Sequence, residues 1–498
     1  MLFNSFEFIF AFLPLVLAGF FLAARFAGRQ PALVFLALAS MFFYAWWNPL
    51  YLLLLVGEVC ANFAIGRVIL RYRDQPRGRQ ILIAGLVFNL LILGYFKYTL
   101  FFVGILNDLA GTNWSLVKLV LPLGISFHTF QQIAYLIQVR SGQAPRYRFW
   151  DYVLFVTFFP QLIAGPIVHH NEVIPQIAAP GFTTWRRENL ALGMSIFAIG
   201  LFKKTVIADA LAQIATPAFT LAAQGGHLST ADAWLGAIGY TLQLYFDFSA
   251  YSDMAIGLAR MFNITLPANF DSPYKARNIA DFWRRWHMTL SRFLRQYLYF
   301  PLGGNRLGPV RAMANVMITM LLGGLWHGAG WTFVVWGGLH GTYIVAHRLI
   351  LASGMFERLV PVPALRHLIG QASTLFLVIV AWVFFRAADF PTAWSVLGSM
   401  FGISSGAAVE AQFGVGRPML LVGVTACIAL FAPNVIDIFA EQRPVLEIDR
   451  HNERRLNPLL RRLRWNAGPA WGAAAGALAS LGIVAILGWQ SEFLYFQF

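Results

Sequence analysis

Apolar runs about twenty residues long recur along almost the whole chain, and they decide what it can fold into. A helix of about twenty apolar residues crosses the hydrocarbon core of a bilayer. In lipid a backbone must satisfy its own hydrogen bonds, so runs of this length are helical. The candidate spans are residues 2–23, 31–47, 50–69, 81–105, 115–138, 150–168, 189–208, 232–258, 312–328, 330–350, 369–386, 417–433 and 470–489. With half-spans among them, about 10–13 helices are expected. Of the 498 residues 58% are hydrophobic and only 12% charged, which excludes an ordinary soluble domain and a disordered chain. The expected fold class is an all-α polytopic membrane protein.

The net charge of +15 collects in clusters, Arg67 to Arg79, Arg140 to Arg148 and Arg443 to Arg464. Basic loops of this kind face the cytoplasm, and no nucleic-acid-binding module accompanies them. The two cysteines, Cys60 and Cys427, sit in apolar runs and offer neither a disulfide framework nor metal-ligand spacing. The first apolar run lacks a basic n-region and a cleavage site, so it reads as a retained helix. One span follows the basic residues 441–464, which puts the aromatic tail Phe493-Leu494-Tyr495-Phe496 on the outer face. Trp47-Asn48-Pro49 breaks an apolar run, because proline stops the helix before it.

Ionisable groups at membrane depth cost about 2.5–3.5 kcal/mol each on the insertion scale and are kept for a reason. His327 sits in Gly323-Gly324-Leu325-Trp326-His327-Gly328, and His287 in Asp281-Phe282-Trp283-Arg284-Arg285-Trp286-His287. A neutral imidazole can take a proton from a hydroxyl. His327 is therefore either a general base or a histidine hydrogen-bonded inside a bundle. His287, beside Arg284 and Arg285, either serves a phosphate-bearing substrate or anchors an interface. From Asp281 onward, Phe282, Trp286, Leu290 and Phe293 share one helical face, which predicts an interfacial or re-entrant helix or a plain cytoplasmic amphipathic one.

Other polar residues read as structural. Asp247 and Asp253 are too far apart in sequence for a carboxylate dyad, and hydrogen bonding to the arginine-rich segment is expected. Lys203-Lys204 reads as an interface anchor. His340 and His347 share a helix face and suit packing or an interface. His169-His170 lacks a third ligand, and no metal is expected.

Together, Tyr245-Phe246-Asp247-Phe248-Ser249-Ala250-Tyr251-Ser252-Asp253, Asp281 to His287, Tyr299-Phe300-Pro301-Leu302-Gly303-Gly304-Asn305-Arg306 and Trp326-His327-Gly328 resemble the membrane-bound O-acyltransferase (MBOAT) family. Within it, the bacterial alginate O-acetyltransferase membrane subunits are most similar. The likeness extends to Phe3-Asn4-Ser5-Phe6-Glu7-Phe8, to Pro122-Leu123-Gly124-Ile125-Ser126-Phe127 and to the aromatic tail. His128 stands where an aromatic such as tyrosine is expected.

The resemblance implies a single domain: N-terminal hairpins (residues 1–110), a catalytic core (111–350) and C-terminal helices (351–498), ringed around a tunnel or funnel in a bacterial inner membrane. It implies acetyl transfer from cytoplasmic acetyl-CoA to a periplasmic or secreted polysaccharide, handed on through a periplasmic O-acetyltransferase partner. The family's invariant histidine maps onto His327 and the second histidine of the bacterial branch onto His287. Arg284, Arg285 and Lys275 are candidates for the CoA phosphates, and the N–H groups near Gly323 and Gly324 for the oxyanion. Tyr495 is either an acyl relay or a headgroup anchor. D-alanyl or peptidoglycan transfer within the family is the alternative, and outside it a polytopic transporter, for which matched inverted halves are missing.

Overall fold

The computed structural model describes residues 1–115, 119–403, 416–446, 462–488, 491, 493 and 494. Tyr495 and most of the last basic cluster, residues 447–461, lie outside the described residues. Among those described there is no β-strand, and helices run from one end of the chain to the other.

Among the described residues, seven helices are long and apolar enough to cross a membrane: Glu7–Phe26, Pro49–Arg71, Pro76–Ala110, Arg187–Ala223, Pro309–His327, Pro363–Arg386 and Pro469–Ile486. Arg29–Ala45 and Gly416–Phe431 are shorter apolar helices. Leu15, Leu50 and Leu109 are 70%, 74% and 80% exposed. Such large apolar side chains on the outside of helices are the mark of a protein solvated by lipid. The protein is thus an all-α, multi-pass membrane protein.

Local chemistry sets the helix ends. Asn48 accepts a hydrogen bond from the Leu50 N–H at 2.9 Å, and Pro49 starts the helix Pro49–Arg71 where its missing N–H costs nothing. The candidate span 150–168 is interrupted: Phe149–Thr157 ends before Pro160, and only a short turn, Phe159–Leu162, follows. The helix expected from Asp281 is also interrupted. It forms as Ile279–Arg285 and Met288–Leu294, broken at Trp286-His287. The shared apolar face survives the break, for Phe282, Trp286, Leu290 and Phe293 are all buried.

The chain divides into two compact units. The first comprises Met1–Leu201, Tyr251–Ala268 and Phe439–Ile486. Buried polar groups tie its helices together. Asn62 and Asn89 exchange amide hydrogen bonds at 3.0 and 2.7 Å, and His128 Nδ1 lies 2.9 Å from the buried Glu58 carboxylate. In an apolar bundle such pairs fix helix register because nothing else there can satisfy them. Glu58 thus accounts for the histidine at position 128.

The second unit comprises Phe202–Ala250, Asn269–Ile438 and Leu487–Phe498, and holds both candidate histidines. Its core is aromatic. Trp286, Trp336, Trp382 and Phe385 pack together, with ring centroids 5.0–5.5 Å apart in the pairs Trp286–Trp382, Trp336–Trp382, Trp336–Phe385 and Trp382–Phe385.

Candidate active site

His327 is the last residue of the helix Pro309–His327, and Trp331–Ser353 folds back along it. The two helices touch through glycine. A Cβ on Gly324 would stand 2.2 Å from the Phe333 carbonyl oxygen, and one on Gly337 2.2 Å from that of Met320. The backbones therefore approach more closely than any side chain permits. This answers the expectation that Gly323 and Gly324 present N–H groups to an oxyanion. Both lie within the helix, where the i→i−4 ladder takes up their N–H groups, and Gly324 serves packing.

At the end of that helix His327 is buried, 5% exposed, with Trp326, Trp336 and Phe385 edge-on around it at 4.9, 5.0 and 5.3 Å between ring centroids. The ring of His287 lies 6.4 Å away. Forty residues of sequence separate the two histidines, and the fold brings them into one aromatic cluster.

His287 is held by its backbone and by one amide. It sits at the break between two short helices with φ 43° and ψ 54°, a left-handed conformation that costs about 1–2 kcal/mol for a residue with a Cβ. Strain of this kind clusters at functional sites. The Met288 N–H donates to the Asn269 carbonyl at 2.9 Å, pinning the bend. Asn269 Oδ1 accepts from the Thr289 hydroxyl at 2.9 Å and lies 3.0 Å from His287 Nδ1. With that oxygen an acceptor, Nδ1 carries the proton and Nε2 is the basic nitrogen of a neutral ring. Burial pushes the His287 imidazole down to about 3, so it stays neutral throughout the physiological range.

The candidate phosphate-binding residues separate into different environments. Arg285 is buried and holds two carboxylates, Asp281 at 3.0 Å and Asp271 at 3.3 Å. Asn434 donates to the other oxygen of Asp271 at 2.9 Å. Lys275 donates to the Ala432 carbonyl, and burial lowers its ammonium against the pull of Asp437 and Asp271. The Arg284 side chain is 69% exposed, 3.8 Å from Asp281. Arg285 and Lys275 are thus built into the polar joint between the 271–285 segment and residues 432–437, whereas Arg284 presents its charge outward.

The remaining titratable groups take structural partners. His340 Nδ1 accepts from Trp283 Nε1 at 3.3 Å and stacks among Phe282, Trp336 and Trp382. The expected packing role is what it has. His169 caps the helix His170–Ala178, its N–H donating to Glu172 at 2.7 Å, and His170 meets the Tyr147 hydroxyl at 2.6 Å. The expected bond to the arginine-rich segment is not what the described residues show for Asp247. It pairs with Lys204 at 2.7 Å, and Lys204 is fully buried rather than an interface anchor. A charge pair at membrane depth neutralises itself before it reaches for a distant arginine. One position escaped the sequence reading, Asn269, and another, Lys204, was assigned there to an interface. Lys204 carries the signal that flagged His327, an ionisable group in an apolar run.

Residues 140–388 match the family model described as MBOAT, membrane-bound O-acyltransferase family. A peptidoglycan O-acetyltransferase of Helicobacter pylori is 45% identical, over 81% of this chain and 80% of its own. A probable alginate O-acetylase AlgI of Pseudomonas aeruginosa is 40% identical, over 81% of this chain and 76% of its own. A teichoic acid D-alanyltransferase of Bacillus subtilis is 29% identical over 46% of this chain and 60% of its own.

Proposed function

The chain belongs to the membrane-bound O-acyltransferase family, and from that premise we propose that it moves acetyl groups from cytoplasmic acetyl-CoA, across a bacterial inner membrane, to a periplasmic or secreted polysaccharide. The observation that carries this reading is the pair of buried histidines, His327 and His287, whose rings lie 6.4 Å apart inside an aromatic wall. An apolar chamber keeps a base neutral and excludes the water that would hydrolyse an activated acyl group.

His327 is the general base. Its imidazole takes the proton of the attacking hydroxyl as that oxygen bonds to the thioester carbonyl carbon. The tetrahedral intermediate collapses by breaking the carbon–sulfur bond, and the CoA thiolate leaves with the proton held on His327. His287 stays neutral and orients the reactants through Nε2, its other nitrogen being committed to Asn269. Arg284 is the residue best placed by exposure to meet the CoA phosphates.

Tyr495 is the first acceptor in this scheme. A phenol ionises near pH 10, so its ester has a good leaving group and passes readily to a further hydroxyl. A periplasmic O-acetyltransferase partner then takes the acetyl group from the tail to the glycan. The peptidoglycan and alginate relatives support a polysaccharide acceptor. The D-alanyltransferase relatives, at 28% and 29% identity over less than half of the chain, favour D-alanyl transfer less.

Membranes containing the protein, supplied in turn with acetyl-CoA and with a D-alanyl carrier protein, separate the donors. Free CoA thiol is expected above the level of control membranes. Turnover of the carrier thioester alone would rule the acetyl reading out.

A further inference from the structure

The C-terminal tail enters a buried charged cluster to which the mechanism so far gives no task. Lys204 lies in the helix Arg187–Ala223, with its ammonium 2.9 Å from Asp209 and 2.7 Å from Asp247. Asp209, five residues on, and Asp247, from the helix Thr230–Met261, are both buried. All three meet the tail. Lys204 donates to the Ser491 carbonyl at 2.9 Å and to its hydroxyl at 3.0 Å. The Ser491 hydroxyl donates to Asp209. The Leu494 N–H donates to Asp247 Oδ2 at 2.9 Å, and the Lys204 ammonium stands over the Phe493 ring at 4.5 Å.

We propose that Lys204, Asp209 and Asp247 form a seat for Ser491, Phe493 and Leu494 and thereby hold the chain immediately before Tyr495. The proposal rests on the reading of Tyr495 as the first acyl acceptor.

Two features make the cluster more than a buried ion pair. Each of the two carboxylates that face Lys204 also accepts a hydrogen bond from the tail, Asp209 from the Ser491 hydroxyl and Asp247 from the Leu494 N–H. Buried charge is costly unless hydrogen-bonded, so the tail stabilises the cluster as much as the cluster holds the tail. The second feature is register. Contacts at 491, 493 and 494 include main-chain groups at both ends, which fixes the tail against sliding by a residue. Leu494 also packs into the aromatic core that contains Trp336 and Phe385, the side chains flanking His327. Lys204, Asp209 and Asp247 are positioning residues, acting on the reaction through the tail.

The test uses the full-length protein in detergent, digested with a carboxypeptidase and read by intact mass. In the native chain trimming is expected to stop before Leu494, which is 4% exposed. In Asp247→Asn, release of Leu494 is expected to rise about tenfold or more, the scale of losing one hydrogen bond to a charged group. Ser491→Ala removes the tail hydroxyl from Lys204 and Asp209 and leaves the buried charges in place, so it answers the question if Asp247→Asn does not fold. Acetyl ester recovered on the C-terminal peptide per CoA released is measured in parallel and is expected to fall in both variants as water replaces the tail. A general loss of folding lowers ester and CoA together and leaves the ratio unchanged. If the tail stays protected in both variants, the seat does not exist. If the tail is released while CoA release is kept and the ratio holds, the seat does not serve Tyr495. Tyr495→Phe is scored separately: wild-type polysaccharide acetylation there would remove the relay reading, while the trimming result stands or falls alone.

Discussion

Single residues carry the chemistry, and their surroundings settle which form each takes. His287 is the clearest case. Its carbonyl partner Asn269 fixes the tautomer, and burial holds the ring neutral. The consequence for stability has a definite sign. A histidine brought down to about 3 in the folded protein but titrating near 6.5 when unfolded binds fewer protons in the native state between those values. The folded state then loses stability as pH falls through that window, by up to about 1.4 kcal/mol per pH unit. Thermal unfolding in detergent from pH 7 to pH 4 is expected to show this decline, and His287→Gln to flatten it. Equal slopes in the two proteins would mean that His287 is not buried neutral. Asn269→Ala removes the acceptor at Nδ1 and is expected to lower kcat with little change in KM for acetyl-CoA, because it frees the tautomer and not the donor site.

Among elements, the hairpin made by Pro309–His327 and Trp331–Ser353 holds His327 in place, and glycine spacing makes it. Gly337→Ala would drive a methyl group into the Met320 carbonyl, and overpacking of this kind costs about 1–3 kcal/mol. Gly338→Ala meets only Leu321 at 3.5 Å and gains helix propensity. The first is expected to lower the unfolding midpoint and activity, and the second to change neither. Equal behaviour of the two would show that the helices are not in backbone contact.

The sequence made the helices themselves legible, because twenty-residue apolar runs have one solution in lipid. It also made His327 and His287 stand out, as rare titratable groups among aromatic residues. It hid the break at His287, since the apolar face of 282–293 reads the same whether the helix is continuous or bent. It hid as well the commitment of Arg285 to Asp271 and Asp281, because a run of arginines carries no record of which partner neutralises each one.

At the scale of the whole molecule, the chain is a membrane-bound O-acyltransferase, for which we propose transfer of the acyl group from one side of the membrane to the other. The proposed reaction depends on His327 as the proton acceptor among its aromatic neighbours. The most direct measurement compares the wild-type protein with His327→Ala in membranes given acetyl-CoA labelled in its acetyl group, following CoA release and label retained on the chain. The account predicts that both fall by about 10²–10⁴-fold, the usual worth of a positioned general base, with the folded protein present in equal amount. Undiminished release and labelling in His327→Ala would contradict it.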